Sequence, residues 1–218
     1  MTPHAWPLTI DELAGITNAW SLPDHGALVP WAMWAADGVT YLLDVDQQAF
    51  GAWPWQLYGH PQEAVDLSHV RWAATSAITT LDLCAGTLGR RRCPPRPKGG
   101  DYSLRDFDAQ YQQAAQHLSL LTPAEQAWAR GATADPHYET VMNARNPMVH
   151  SRLKRTVYVG TVDPGPHQQR TGFPVGPGGS VVDSRPLIEL CASLATRHLD
   201  AFMRMIAAEA QTAEGPES

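Results

Sequence analysis

The stretch 68-SHVRWAATSAITTLDLCAGTLGR-90 decides the fold class of this chain of 218 residues. Its apolar residues recur at spacings of three and four, which places them on one face of a helix. They are Val70, Ala74, Ala77, Leu81, Cys84 and Leu88. The pattern predicts one helix of roughly 25 residues that begins near Val65. The prolines and glycines of 89-GRRRCPPRPKGG-100 then end it and form a loop.

Further helix starts are marked along the chain by capping residues. Thr9 with Glu12, and Thr122 with Glu125, have the spacing of a capping box, in which two side chains satisfy each other's backbone donors. Proline follows Thr122 directly, where the first helical position tolerates it. The predicted starts are Thr9, Ser103, Thr122, Asp135 and, for a long closing helix, Asp183 or Ser184.

Two segments have β-like patterns. Val39–Val45 is predicted as a strand that pairs with Trp31–Ala35 across the turn signal Asp37-Gly38. Thr156–Val162 and a second strand near Thr171–Val175 are predicted as a small hairpin or ordered loop, because glycines and prolines surround them.

The predicted fold is therefore all-α. It is an antiparallel helical bundle with a small hairpin-containing N-terminal extension and a hairpin or loop insertion before the last helix. The domain prediction assigns 1–63 to a tryptophan-rich extension, 64–212 to the helical domain and 213–218 to a disordered tail.

Composition narrows the class of protein. The chain has 22 acidic and 16 basic side chains, so a general coat on nucleic acid is not expected, although a local basic site remains compatible. Three cysteines without CxxC spacing argue against a disulfide framework or a zinc site. Neither a secretory signal nor a run of about 18 apolar residues is present in the sequence. A cytoplasmic protein without membrane contact, metal or other cofactor is expected.

The stretch 143-NARNPMVHSRLKR-155 combines an arginine and a histidine with a helix-breaking proline. Residues five apart in an unbroken helix diverge by about 140°. Pro147 is predicted to make Asn146 an N-cap or to kink the helix, so that Arg145 and His150 converge. A histidine can move protons at a ribose hydroxyl, and a guanidinium can bind phosphate oxygens. The pair therefore suits metal-independent chemistry on RNA.

A run of cations follows this pair. Arg152, Lys154 and Arg155 lie in a part of the chain that has no acidic residue between Glu139 and Asp163. Such a local positive strip in an acidic protein suits an RNA backbone. A solvated surface explains these three residues equally well.

The loop after the first long helix is also basic. Its cations are Arg90, Arg91, Arg92, Arg96 and Lys98. A solvated basic loop is favoured over a phosphate site here, because arginines near a helix C-terminus suit the helix dipole.

The segment 144-ARNPMVHSR-152 resembles the signature of the HEPN superfamily, a group of small all-α domains. Its ribonuclease members carry an arginine, usually followed by a polar residue, and a histidine after four to six intervening positions. Arg145, Asn146 and His150 match that order. The layout is similar too, with one long helix before the motif and one after it, over roughly Val65 to Ala210.

The resemblance implies a metal-independent endoribonuclease that cleaves single-stranded RNA, often as a homodimer and often in toxin–antitoxin or defence systems. It implies that Arg145 holds the scissile phosphate, that His150 is the general acid and base, and that Asn146 orients the phosphate or the arginine. An antitoxin protein is then a further expected partner.

Two alternatives remain open. The chain could be a non-catalytic HEPN-like module for dimerisation or nucleotide binding, with His150 turned away from Arg145. It could instead be an unrelated helical protein that binds a small ligand in an apolar pocket. The residues lining that pocket would be Trp31, Trp34, Trp53 and Trp55.

Overall fold

The structure is a computed structural model that describes residues 4–20, 28–49, 61–97, 99–149, 156–159 and 169–213. In these ranges the chain is mainly helical, which confirms the predicted helical class. The α-helices are α1 Ile10–Ala19, α2 Leu28–Ala49, α3 Pro61–Arg92, α4 Ala114–Leu120, α5 Pro123–Thr133, α6 Pro136–Val149 and α7 Ser184–Ala213. The strands are β1 Thr156–Val159, β2 Gln169–Pro174 and β3 Val181–Asp183. Short 3-10 helices lie at Leu104–Phe107 and Pro177–Gly179.

Helix α3 has the buried face that its sequence predicts. It is longer than expected, at 32 residues. The residues of the predicted stripe are all fully buried, and they are Val70, Ala74, Ala77, Leu81, Cys84 and Leu88. A continuous apolar face of this length is buried only when other parts of the chain pack along it.

The predicted N-terminal hairpin is wrong, because residues Leu28–Ala49 form the single helix α2. Neither the strand Val39–Val45 nor its partner Trp31–Ala35 is present, and Asp37-Gly38 lies inside the helix. The apolar side chains of this segment recur at helical spacing and are buried. They are Val29, Ala32, Met33, Ala36, Val39 and Leu42. Burial of that face outweighs the local turn signal and the cost of about 1 kcal/mol for a glycine within a helix.

The helix predicted from Ser103 is interrupted. A 3-10 turn, Leu104–Phe107, is closed by a reciprocal cap between Ser103 and Asp106. The Asp108 carboxylate then accepts a hydrogen bond from the Gln110 backbone at 3.1 Å. Aspartates that bond the backbone two residues on favour turns, and helix α4 starts only after this one.

Two of the predicted helix caps are confirmed. The Thr9 and Glu12 side chains bond reciprocally before α1, and Thr122 and Glu125 do the same before α5. Each cap satisfies backbone donors that the first helical turn leaves without partners.

The insertion before the last helix is a three-stranded antiparallel sheet in the order β1–β2–β3. Thr156 lies opposite Gly172, and Gly172 also lies opposite Asp183 in β3. The two expected strands are therefore present, and the third strand runs directly into α7. Helix α7 begins at Ser184, as predicted.

The described residues belong to two compact units. One unit comprises Asp37–Ile78 and Pro136–Leu194, and it contains α6 and the sheet. The other comprises Thr2–Ala36, Thr79–Asp135 and Ala195–Ser218, and it contains α1, α4 and α5. The predicted boundary between residues 63 and 64 stays a prediction, and the tail beyond residue 213 lies outside the described residues.

No helix in the part of the chain that the structure describes combines the length and the apolar character needed to cross a membrane.

Candidate functional site

Helix α6 carries the first half of the Arg–His motif and is anchored by its buried face. Tyr138, Val141 and Ala144 recur at spacings of three and are buried. In the last half of the helix, the Asn143 side chain donates to the Val175 carbonyl over 3.5 Å. This contact joins the last half of α6 to the residue that follows β2.

The predicted restart of the helix at Pro147 is wrong, because α6 continues without interruption to Val149. A proline within a helix removes one backbone hydrogen bond, the one to the carbonyl four residues earlier. Pro147 lies in the last described turn of α6. Asn146 is therefore a helical residue and not an N-cap, and His150 lies outside the described residues.

The Arg145 side chain is half-buried and is held by its neighbour. Its Nη1 donates to the Asn146 Oδ1 over 3.2 Å. Its Nε is shielded from solvent and has no hydrogen-bond partner among the described residues. A shielded donor without an acceptor costs about 1–3 kcal/mol. Arg145 thus keeps unused hydrogen-bonding capacity, and Asn146 orients it.

The remaining predicted site residues cannot be placed beside Arg145. His150, Arg152, Lys154 and Arg155 lie outside the described residues. Of the predicted catalytic and RNA-binding set, the structure therefore brings together Arg145 and Asn146, and the pairing of Arg145 with His150 stays a prediction.

Several other arginines are neutralised. The loop predicted from Gly89 begins only after Arg92, because α3 continues to that residue. Arg90 in the last turn of α3 pairs with Asp101, and Arg96 in the loop pairs with Asp106. Arg96 also lies 4.6 Å from the Tyr102 ring centre. These pairings support the interpretation of the loop as structural, because its guanidinium groups already have carboxylate partners. Lys98 lies outside the described residues.

A cluster of four charged side chains lies at the end of α3, and its ion pairs were not predicted from the sequence. We call Arg91, Arg92, Glu125 and Glu209 the Glu125 cluster. Arg92 Nε donates to both Glu125 oxygens at 3.1 Å, and Arg91 binds Glu209 in a fork at 2.6 and 2.9 Å. Glu125 is fully buried. Burial alone would raise the pKa of Glu209, but the two arginines outweigh it and hold that pKa below its usual value.

A second polar contact missed by the sequence analysis joins α7 to the segment before α6. His198 Nε2 lies 2.8 Å from Asp135 Oδ2, and Arg197 donates to the same oxygen at 2.5 Å. The Trp128 indole donates to the His198 carbonyl at 2.9 Å. Burial lowers the pKa of His198, and the Asp135 carboxylate opposes this shift. The contact holds the imidazole in place.

The tryptophans expected to line a ligand pocket are only partly described. Trp31 and Trp34 pack edge to face with ring centres 4.7 Å apart. They are 55% and 53% exposed, so they lie on the surface of α2 rather than within an enclosed pocket. Trp53 and Trp55 lie outside the described residues.

Among the described residues, no three His, Cys, Asp or Glu side chains come together as potential metal ligands. Comparison with protein families, with curated proteins and with solved structures finds no match to this chain.

Proposed function

We propose that this protein is a metal-independent endoribonuclease of the HEPN type that cleaves single-stranded RNA, with Arg145 as the phosphate-binding residue. The observation that carries the proposal is the state of Arg145. Asn146 occupies its Nη1, and no carboxylate among the described residues pairs with its guanidinium. A cation with unused donors suits an anionic ligand.

The contrast with other arginines of the chain supports this proposal. Arg185 pairs with Glu189, Arg197 pairs with Asp135, and Arg204 pairs with Asp200. Those arginines already have acceptors, whereas the Nε edge of Arg145 has none in the described part of the chain. A phosphate bound through Nε and Nη2 would satisfy this edge in the fork geometry that guanidinium groups favour. Because Nε is shielded from solvent, the side chain must turn when it takes up the phosphate.

The chemistry assigns one role to each residue of the motif. His150 removes the proton from the ribose 2′-hydroxyl and then protonates the leaving 5′-oxygen. Arg145 stabilises the negative charge that develops on the phosphate, and Asn146 fixes the guanidinium. Arg152, Lys154 and Arg155 bind the RNA backbone. The HEPN-like bundle, the homodimer and the toxin or defence role with an antitoxin partner belong to the same proposal and rest on the motif.

The test is cleavage of a fluorescent single-stranded RNA in EDTA by wild type, Arg145→Ala and His150→Ala. Loss of a general acid and base lowers the rate by about 10²–10⁴-fold. We expect a similar loss for Arg145→Ala, because one charge-stabilising donor is worth about 10²–10³-fold. Arg130→Ala is the matched control, since Arg130 is an exposed arginine whose side chain donates to Gln126 Oε1 at 3.4 Å. It should cleave as wild type does.

Circular dichroism of each variant separates loss of chemistry from loss of fold. An inert wild type, or equal cleavage by wild type and both motif variants, contradicts the proposal. The non-catalytic HEPN-like module then becomes the leading explanation for the motif.

A further inference from the structure

A cleft of about 750 Å³ lies between α1 and the last turns of α7, within one of the two compact units. Its described walls include Leu8, Ile16 and Trp20 on one side and Ala207 and Ala210 on the other. Clefts of roughly 300–1,000 Å³ with mostly apolar walls and a few polar groups are typical of small-molecule sites. Neither Arg145 nor the exposed tryptophans of α2 are among the described lining residues.

The cleft has open space above α1. Gly15 lies in its wall, and a Cβ atom added to Gly15 would meet no atom within 4 Å. Glycine within a helix is unfavourable by about 1 kcal/mol relative to alanine. A methyl group at this position would therefore meet open space at the cleft wall.

Trp20 forms the aromatic part of the cleft wall. The Arg91 guanidinium lies 4.0 Å from the centre of the Trp20 ring, which fixes the indole from one side. Arg91 is itself held in a fork by Glu209 at 2.6 and 2.9 Å. The indole is thus presented by a charged network that needs no ligand to order it, and a preorganised wall lowers the entropic cost of binding.

The described lining residues of the cleft carry a net negative charge. Arg91 and Glu209 neutralise each other, which leaves Glu12 as the remaining formal charge among the described lining residues. Glu12 uses Oε2 to cap α1, accepting from the Thr9 backbone at 2.7 Å and from the Thr9 hydroxyl at 2.8 Å. Its Oε1 has no hydrogen-bond partner in the described part of the chain. These two Thr9 bonds also hold the pKa of Glu12 below its usual value, so the carboxylate is ionised at neutral pH.

We propose that this cleft binds a small organic ammonium ion that carries an aryl group. The aryl group packs against Trp20 and the aliphatic side chains of Leu8 and Ile16, and the ammonium group donates to the free oxygen of Glu12. The unbalanced carboxylate selects a cation over an anion, and the volume selects a small molecule over a peptide helix. The proposal does not depend on the ribonuclease function, because it rests on different residues.

The test measures binding of phenethylammonium and of phenylacetate to the full-length protein by ligand-observed NMR at low salt. For so small a probe we expect a Kd of about 1 mM. Phenylacetate has the same ring and the opposite charge, so it should bind several-fold more weakly. Two variants then address the two halves of the site separately.

Glu12→Gln removes the charge but keeps the cap, because glutamine serves equally well at this position of a capping box. We expect it to weaken phenethylammonium about threefold to fivefold, the range for an exposed charge pair, and to leave phenylacetate unchanged or tighter. Gly15→Leu adds an isobutyl group at the cleft wall and should weaken binding of both probes, whereas Gly15→Ala, with only one added methyl group, should retain most of it.

Both glycine replacements favour helix formation, so loss of binding in Gly15→Leu cannot be ascribed to a weakened α1. Circular dichroism checks that the helix content is kept. Wild type that shows no phenethylammonium binding at about 10 mM overturns the proposal. Equal affinity of wild type and Gly15→Leu overturns it as well, since the probe then binds elsewhere.

Discussion

The Glu125 cluster is the strongest polar contact that the sequence did not reveal, and it makes a sharp prediction about stability. Glu125→Ala removes a fully buried carboxylate that both arginines contact, Arg92 at 3.1 Å and Arg91 at 3.3 Å. It also removes the bond from the Thr122 backbone to Glu125, which is 2.7 Å long and closes the cap of α5. One substitution therefore affects an ion network and a helix cap together.

The magnitude follows from which groups lose their partner. Removing one side of a buried ion pair costs about 3–5 kcal/mol, because the opposite charge stays buried without compensation. Glu209 still faces both arginines, so the expected loss lies at the lower end, near about 3 kcal/mol. Glu125→Gln keeps one oxygen as the acceptor for the cap, but its NH2 group replaces the oxygen that accepts from Arg91 and Arg92, so we expect a cost of about 1.5–3 kcal/mol. For a chain of this size, a loss of about 3 kcal/mol lowers Tm by roughly 6–12 °C.

The assay is urea unfolding followed both by helix circular dichroism and by tryptophan fluorescence, so that separate transitions of the two units would be visible. The matched control is Glu189→Ala, which removes an exposed carboxylate paired with Arg185 one helical turn away. That change should cost less than about 0.5 kcal/mol and should vanish in high salt. The Glu125 variants should lose about the same stability at low and at high salt.

The reasoning is refuted if Glu125→Ala and Glu189→Ala destabilise the protein to the same small extent. It is refuted as well if the Glu125→Ala effect disappears in about 0.5 M salt, since a shielded network is screened far less than a surface pair.

Two further predictions concern a close approach and a titrating group. Gly89→Ala should destabilise the protein by about 1–3 kcal/mol in urea unfolding, because an added Cβ would overlap the Tyr102 ring. In the control Gly131→Ala, the added Cβ meets no atom within 4 Å, so this change should stabilise the protein by up to about 1 kcal/mol. Equal effects of the two changes would contradict the close packing of Gly89 against Tyr102. Burial lowers the pKa of His198 below the unfolded value of 6.5, so the unfolded state binds more protons than the folded state. The contribution of His198 to the free energy of unfolding is therefore fully present above pH 6.5 and is lost as the pH falls through the folded-state pKa. Between pH 7.5 and 5, the unfolding free energy of His198→Gln should fall less steeply with pH than that of wild type. The two slopes should differ by at most about 1.4 kcal/mol per pH unit. Identical slopes would show that the pKa of His198 does not change on folding.

Sequence patterns predicted the helices whose core contacts recur along one face, and they failed where two local signals competed. In α3 no turn signal interrupts the stripe from Val70 to Leu88, and every predicted core position is buried. In α2 the pair Asp37-Gly38 resembles a hairpin turn, while Val29, Ala36 and their neighbours repeat with helical spacing. The helical repeat was present in the sequence and outweighs the turn signal, because it buries a whole face of the helix.

Contacts between distant parts of the chain leave no such local pattern. Arg92 lies 33 residues from Glu125, and Arg91 lies 118 residues from Glu209. Each of these side chains, taken alone, has the signature of a solvated surface charge. Their pairing depends on how the ends of three helices pack, and that arrangement follows from long-range burial rather than from spacing. The same holds for His198 and Asp135, which are 63 residues apart.

The local sequence around the Arg–His motif did not predict the course of helix α6. A helix break at Pro147 was predicted to bring Arg145 and His150 together, but α6 continues to Val149. Along a continuous helix the two positions diverge by about 140°, so the helix alone does not direct them to one site. His150 follows Val149 directly and lies outside the described residues, so its pairing with Arg145, within one chain or between two copies of the protein, stays a prediction. A cleavage assay on mixtures of Arg145→Ala and His150→Ala distinguishes these cases, since activity regained on mixing requires that the two residues of one site come from different chains.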